Sequence, residues 1–168
     1  MNSDPFALAS QPQNTEHCFL VVVDKSEEMF KALRFACRRA KKVDGKVALL
    51  GIITRSSFEH WVSIGELMKE EAREEIDRLM AVATERAEEL SGKSALTYVR
   101  EGDPVDVITN LLRDEQNLKL LVLAADTQES RGPGPLVSAF SSKAVAQCRV
   151  PVTIVPGNLT DDEIDAIC

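Results

Sequence analysis

The sequence predicts a single-domain α/β protein built on one open, doubly wound, five-stranded parallel sheet. Three observations carry that prediction: apolar runs of strand length at 18–23 and 118–125, the second interrupted only by Lys119, amphipathic stretches at helical spacing between strand-like segments, and turn chemistry at the junctions. A run that is apolar on both faces is what a central parallel strand requires, because helices cover the sheet on each side. Strands alternating with helices imply right-handed crossovers within one sheet. A chain of 168 residues suits one such domain, and the regular alternation leaves no room for repeats or a second domain.

Taken in order, residues 1–16 are expected to form a flexible tail, since Asn, Ser, Pro and Gln there offer little apolar surface to offset ordering entropy. The domain is expected over 17–157, followed by a short acidic tail, 158–168. Cys18 to Val23 reads as the first, central strand, ending at Asp24. Ser26 can cap the next helix, with Glu27 and Glu28 in the first turn where negative charge is favoured. Phe30, Leu33, Cys37 and Ala40 recur as its apolar stripe. Asp44-Gly45 supplies a turn, and Lys46 to Thr54 reads as the second strand.

A polar loop, Arg55 to Ser63, carries Phe58, His60 and Trp61. It leads into a long amphipathic helix ending near Leu90, with Met68, Ala72, Ile76, Leu79, Ala83, Ala87 and Leu90 on the predicted buried face. Ser91-Gly92-Lys93 stops it. Ala95 to Arg100 alternates as a shorter third strand near a sheet edge. Asp103-Pro104 marks a helix start, because proline suits the first helical position, and Val107, Ile108, Leu111 and Leu112 supply the apolar face. Leu118 to Ala125 is the second central strand. A Gly- and Pro-rich loop, Asp126 to Pro135, precedes a helix expected over Leu136 to Cys148. Val150 to Val155 is the fifth strand, with Pro151 at its start. Beyond Pro156-Gly157, Asp161 to Asp165 reads as a short exposed helix capped by Thr160.

Charge and composition exclude several partners. Lys and Arg total 20 against 27 Asp and Glu, a formal charge of -7, which repels nucleic-acid phosphates and anionic lipid. The basic group Arg38, Arg39, Lys41 and Lys42 falls in the last turns of a helix, where cations suit the macrodipole. The cysteines, Cys18, Cys37, Cys148 and Cys168, show no metal-ligand or CxxC spacing, and read as small buried apolar residues or a free tail thiol. No basic, apolar leader opens the chain and no segment reaches the roughly 18 apolar residues of a membrane span, so the expected setting is cytoplasmic.

In open α/β sheets, ligands bind beyond the carboxyl ends of strands, where strand order reverses. That rule selects Asp24 to Ser26, Thr54 to Ser57 and Ala125 to Gly134. Asp24 either accepts hydrogen bonds from a base or ribose, or fixes its own turn through backbone N–H groups. Trp61 either stacks on a ligand or tucks beside the long helix. His17 and His60 have no partnered Ser or Cys motif, so no hydrolytic triad is visible. Ligand-binding candidates are Asp24, Ser26, Thr54, Ala125, Asp126, Gly132, Gly134 and Ser138. No metal or catalytic residue is assigned, though Asp24 and Asp126 could hold Mg²⁺ through waters in a slow nucleotide hydrolase.

Val21-Val22-Val23-Asp24-Lys25-Ser26-Glu27, Glu101-Gly102-Asp103-Pro104 and Val150-Pro151-Val152-Thr153-Ile154-Val155-Pro156, in this order and spacing, resemble the universal stress protein family. The resemblance implies a Rossmann-like sheet, akin to the adenine nucleotide alpha hydrolases, in the order 3-2-1-4-5. It also implies a homodimer joined through the last strands, here Val152, Thr153, Ile154 and Val155. One branch of the family binds ATP through glycine, two residues, glycine, nine residues, then glycine with serine or threonine. Counting back from Val150-Pro151, the closing pair of that pattern falls on Ser138 and Ala139, and Gly132 and Gly134 do not keep its spacing. Pro133 and Pro135 also remove two amide donors from a would-be phosphate cradle. The expectation is therefore a regulatory, non-enzymatic dimer of the stress response without that ATP loop, binding a protein partner or a small metabolite; ATP or AMP binding is the alternative.

Overall fold

A computed structural model describes residues 16–54, 65–128 and 130–168. The chain runs β1 (Cys18–Val23), α1 (Met29–Lys42), β2 (Lys46–Ile53), α2 (Gly65–Ser91), β3 (Leu96–Glu101), α3 (Pro104–Asp114), β4 (Leu118–Ala125), α4 (Pro135–Phe140), a 3-10 turn at Ala144–Gln147, β5 (Val152–Pro156) and α5 (Asp161–Ile167). All five strands pair in parallel in the order β3-β2-β1-β4-β5, the order that the resemblance implied. The two most apolar runs, β1 and β4, are neighbours inside the sheet, and β3 is an edge strand as its weaker pattern predicted.

Alternate residues of each strand face opposite helix layers. Val21, Val23, Val47, Leu49 and Val122 pack against Leu33, Ala36, Ala83 and Ala87 of α1 and α2. Leu20, Leu50, Leu121 and Leu123 pack on the other face against Ile108, Leu111, Leu112, Val137 and Phe140 of α3 and α4. Each fully buried Leu or Phe among these stabilises the fold by roughly 1.5–3 kcal/mol, so the two layers anchor the sheet from both sides. Cys37 lies in the first layer at 0% exposure, and burial pushes its thiol up to about 12. Cys18 and Cys168 are buried too and Cys148 half-buried, in keeping with the apolar reading. No helix among the described residues is long and apolar enough to cross a membrane.

Several expectations shift. The stripe of α1 runs through Met29, Leu33, Ala36, Cys37 and Ala40, while Phe30 is 38% exposed. Met29 and Phe30 are adjacent apolar residues, and the helix begins at Met29, which turns Phe30 outward and leaves Glu27 and Glu28 ahead of the first turn. Met68 on α2 is also exposed, Ala72, Ile76, Leu79 and Leu90 are half-buried, and Met80 with Ala83 and Ala87 makes the close contact. The helix expected over Leu136 to Cys148 breaks into α4 and the 3-10 turn. Ser141 Oγ donates to the Val137 carbonyl and Ser142 Oγ to that of Ser138, the back-bonding that competes with helix continuation. β5 begins two residues later than predicted because Pro151 cannot donate to a ladder; its carbonyl instead accepts from Leu121 N–H at 3.0 Å.

The largest correction is at the carboxyl end. Thr160 caps α5 as predicted, in a reciprocal box with Glu163, but the helix is not an exposed tail. Ile164 is 0% exposed and Cys168 6%, both docked on α1. Residues 1–15 of the expected tail, and Phe58, His60 and Trp61, lie outside the described residues.

Candidate ligand-binding crevice

β1 and β4 lie side by side, yet the chain leaves them for opposite faces of the sheet: α1 follows β1 on one side and α4 follows β4 on the other. The divergence opens a crevice of about 810 Å³ at the strand ends. That volume lies within the roughly 300–1,000 Å³ typical of small-molecule sites. Met29, Ala32, Ile76 and Leu79 wall one side, and Val105, Leu136 and Val137 the other.

Six of the eight predicted residues line it: Asp24, Ser26, Thr54, Asp126, Gly132 and Gly134. Ala125 and Ser138 do not. The Ala125 carbonyl accepts from Gly157 N–H at 2.9 Å, so its peptide serves the connection to α5, and Ala124 forms the lining instead. Ser138 lies within α4, exposed, with its amide donating to the Gly134 carbonyl at 3.0 Å.

The polar rim is built from turns. Ser26 N–H donates to Asp24 Oδ1 at 2.8 Å, and Ser26 Oγ accepts from Met29 N–H at 3.3 Å, so this turn leads α1 away from β1. Asp126 repeats the device after β4, its Oδ1 accepting from Gln128 N–H at 2.9 Å. Asp103 caps α3 by accepting from Val105 N–H at 2.9 Å and Asp106 N–H at 3.2 Å. Both readings of Asp24 are thus compatible with its geometry: one carboxylate oxygen fixes the turn, and the residue also lines the crevice.

Sequence reasoning missed three contributors. Glu28, Glu75 and Asp103 also line the crevice, which gives it, among the described residues, five carboxylates, Asp24, Glu28, Glu75, Asp103 and Asp126, against two cations, Lys25 and Arg131. None of the five forms an ion pair among the described residues. Asp103 was legible by the strand-end rule, since it follows the third strand, but its cap role accounted for it first. Glu75 had no local signal: it reaches the crevice only because α2 overhangs the sheet. Among the described residues no group of three or more His, Cys, Asp or Glu could hold a metal ion.

The loop after β4 closes the site. Gly132 and Gly134 take φ of 69° and 94°, backbone that side chains with a Cβ rarely adopt, and they alternate with Pro133 and Pro135, which carry no N–H. The loop offers shape and apolar surface more than hydrogen-bond donors.

A doubly wound parallel sheet with a ligand-sized crevice at its switch point defines the Rossmann-like class of binding folds. Within that class, the universal stress protein family model matches residues 18–156, and the chain belongs to that family. No curated protein matches the chain. Among solved structures, the universal stress protein UspA from Lactobacillus plantarum is similar at 19% identity and a TM-score of 0.64, over 83% of this chain and 97% of that one. A family protein from Arabidopsis thaliana with AMP bound is similar at 18% identity and a TM-score of 0.59, over 83% and 91%. A universal stress protein in complex with cAMP is similar at 16% identity and a TM-score of 0.57, over 85% and 98%.

Proposed function

We propose that this chain is a non-catalytic, regulatory stress-response protein that binds an adenine nucleotide of low charge, AMP in preference to ATP, in the crevice between Asp24 and Asp126. The observation that carries this reading is the crevice's composition among the described residues: apolar walls in a volume of nucleoside size, a rim of five carboxylates, and two cations. The apolar lining, Met29 and Ile76 on one side and Val105 and Leu136 on the other, would take a purine, and carboxylates at strand ends accept from ribose hydroxyls or an exocyclic amine. A triphosphate brings about four negative charges into a rim that already repels them, and the Gly132–Pro135 turn has too few amides to offset that cost. The AMP and cAMP held by similar structures support the class of ligand; the charge of this rim supports its smaller members.

The same reading includes a homodimer through β5 and a cytoplasmic setting. β5 is an edge strand, Ile154 is 39% exposed, and Val152 and Thr153 are half-buried, so their side chains are available to a second copy; Val155, 2% exposed, belongs to its own core and would contribute backbone alone. Sedimentation of wild type and Ile154→Lys checks it: the variant should be monomeric where the wild type is dimeric.

Equilibrium dialysis with labelled AMP, cAMP and ATP tests the ligand assignment. Retention of AMP with weaker retention of ATP is expected. Tighter binding of ATP, or no binding of any of the three, contradicts it, and phosphate released above an Asp24→Ala control would contradict the non-catalytic part.

A further inference from the structure

We infer that α5 is an ionic clamp that sets the width of the crevice and so regulates its affinity; this rests on the crevice being the ligand site. The helix lies beyond the stretch matched to the family, and it docks across the outer side of α1. Arg34 Nε and Nη2 donate to Asp165 at 2.8 and 2.6 Å, and Arg38 Nε and Nη2 donate to the same carboxylate, both at 2.9 Å. Arg34 Nη1 and Lys31 Nζ donate to Asp161 at 3.1 and 3.0 Å. Below these pairs Ile164 is fully buried, and the Cys168 thiol reaches the Phe35 carbonyl.

What links the clamp to the crevice is the four-residue connection before α5. Gly157 N–H donates to the Ala125 carbonyl, and a Cβ on Gly157 would lie 2.7 Å from both that oxygen and Glu28 Cβ. The connection is therefore wedged between the end of β4 and the start of α1, where only glycine fits. Glu28 and Met29 on one side of this wedge, and Ala124 and Asp126 on the other, are crevice lining. Leu159 packs on the same core layer as α1. Docking of α5 thus holds α1 and β4 at a fixed separation, and release of α5 frees both walls together. The pairs lie near the surface, so ionic strength, or a cationic partner competing for Asp161 and Asp165, would act on the crevice from outside it.

The test combines hydrogen–deuterium exchange with AMP titration on wild type and on the Asp161→Asn, Asp165→Asn double variant, which keeps side-chain shape. Neutralising α5 should expose residues 161–168 to exchange and speed exchange at 27–32 and 124–128 by about fivefold or more, with AMP affinity falling by a similar factor. Wild type moved to about 1 M NaCl, where the Debye length falls to about 3 Å, should change in the same direction without any substitution. Continued protection of α5 in the variant, or its release with unchanged exchange at 27–32 and 124–128, overturns the inference. Should wild type bind no AMP while those segments still loosen, the clamp stands and the nucleotide assignment falls.

Discussion

Two acidic clusters of this protein are made of the same residue types and behave in opposite ways. Around the crevice, five carboxylates face two cations among the described residues, and three of the carboxylates, Asp24, Asp103 and Asp126, spend one oxygen on backbone turns. On α5, Asp161 and Asp165 are tied to Lys31, Arg34 and Arg38 over a buried Ile164. Paired over an apolar contact, carboxylates become part of the fold. Left with open oxygens over apolar walls, they become recognition groups. Substitutions in the first cluster should therefore cost binding directly, and substitutions in the second should cost structure first and binding only through it.

The largest expected effect is on the structural side. Ile164→Ala removes the buried anchor of α5 and should lower stability by about 2–4 kcal/mol in urea unfolding, with the near-wild-type cooperativity of a single domain. A loss under 1 kcal/mol would show that α5 is held by its charges alone.

Acid should release the same helix. Hydrogen bonds from Arg34 and Arg38 hold the Asp165 carboxyl down at about 2, and the Lys31 contact lowers that of Asp161. A carboxyl depressed in the folded state stabilises above its ordinary value near 4 and loses that contribution as pH falls toward 2. Exchange protection at 161–168 should hold from neutrality down to about pH 4 and disappear between there and pH 2. Loss of protection well above pH 4 would mean that the pairs form only in part.

On the recognition side, Asp24→Ala should weaken AMP about tenfold, a loss of 1.4 kcal/mol, while shifting the unfolding midpoint little because only one turn contact goes. Equal losses of stability and affinity would assign Asp24 to the turn alone. The smallest effect expected is a change in preference: Glu75→Lys, on an exposed position of the rim, should raise ATP affinity relative to AMP by about threefold. An unchanged ratio would mean that rim charge does not set selectivity.

Most of the fold was legible because its signals are local. The apolar strands at 18–23 and 118–125, the Asp103-Pro104 start and the Thr160 cap each depend on residues within a few positions of one another. The same holds for the turns that place Asp24 and Asp126. What the sequence hid depends on separation. The partners of Asp165 are Arg34 and Arg38, 131 and 127 residues earlier, so an acidic tail and a basic helix end each looked like an exposed surface. Glu75 joins the rim only through the overhang of α2. The break after Phe140 hid in hydroxyls whose competition with the backbone shows only in geometry, and the choice between Met29 and Phe30 turned on a one-residue shift in where the helix begins.

The most direct test of the central claim is an amide NMR titration of the wild-type protein with AMP and, separately, with ATP. Binding in the crevice predicts shift changes concentrated at 24–29 and 126–137, saturating at lower AMP than ATP concentration. Changes confined to other surfaces, or saturation at lower ATP than AMP, would contradict it.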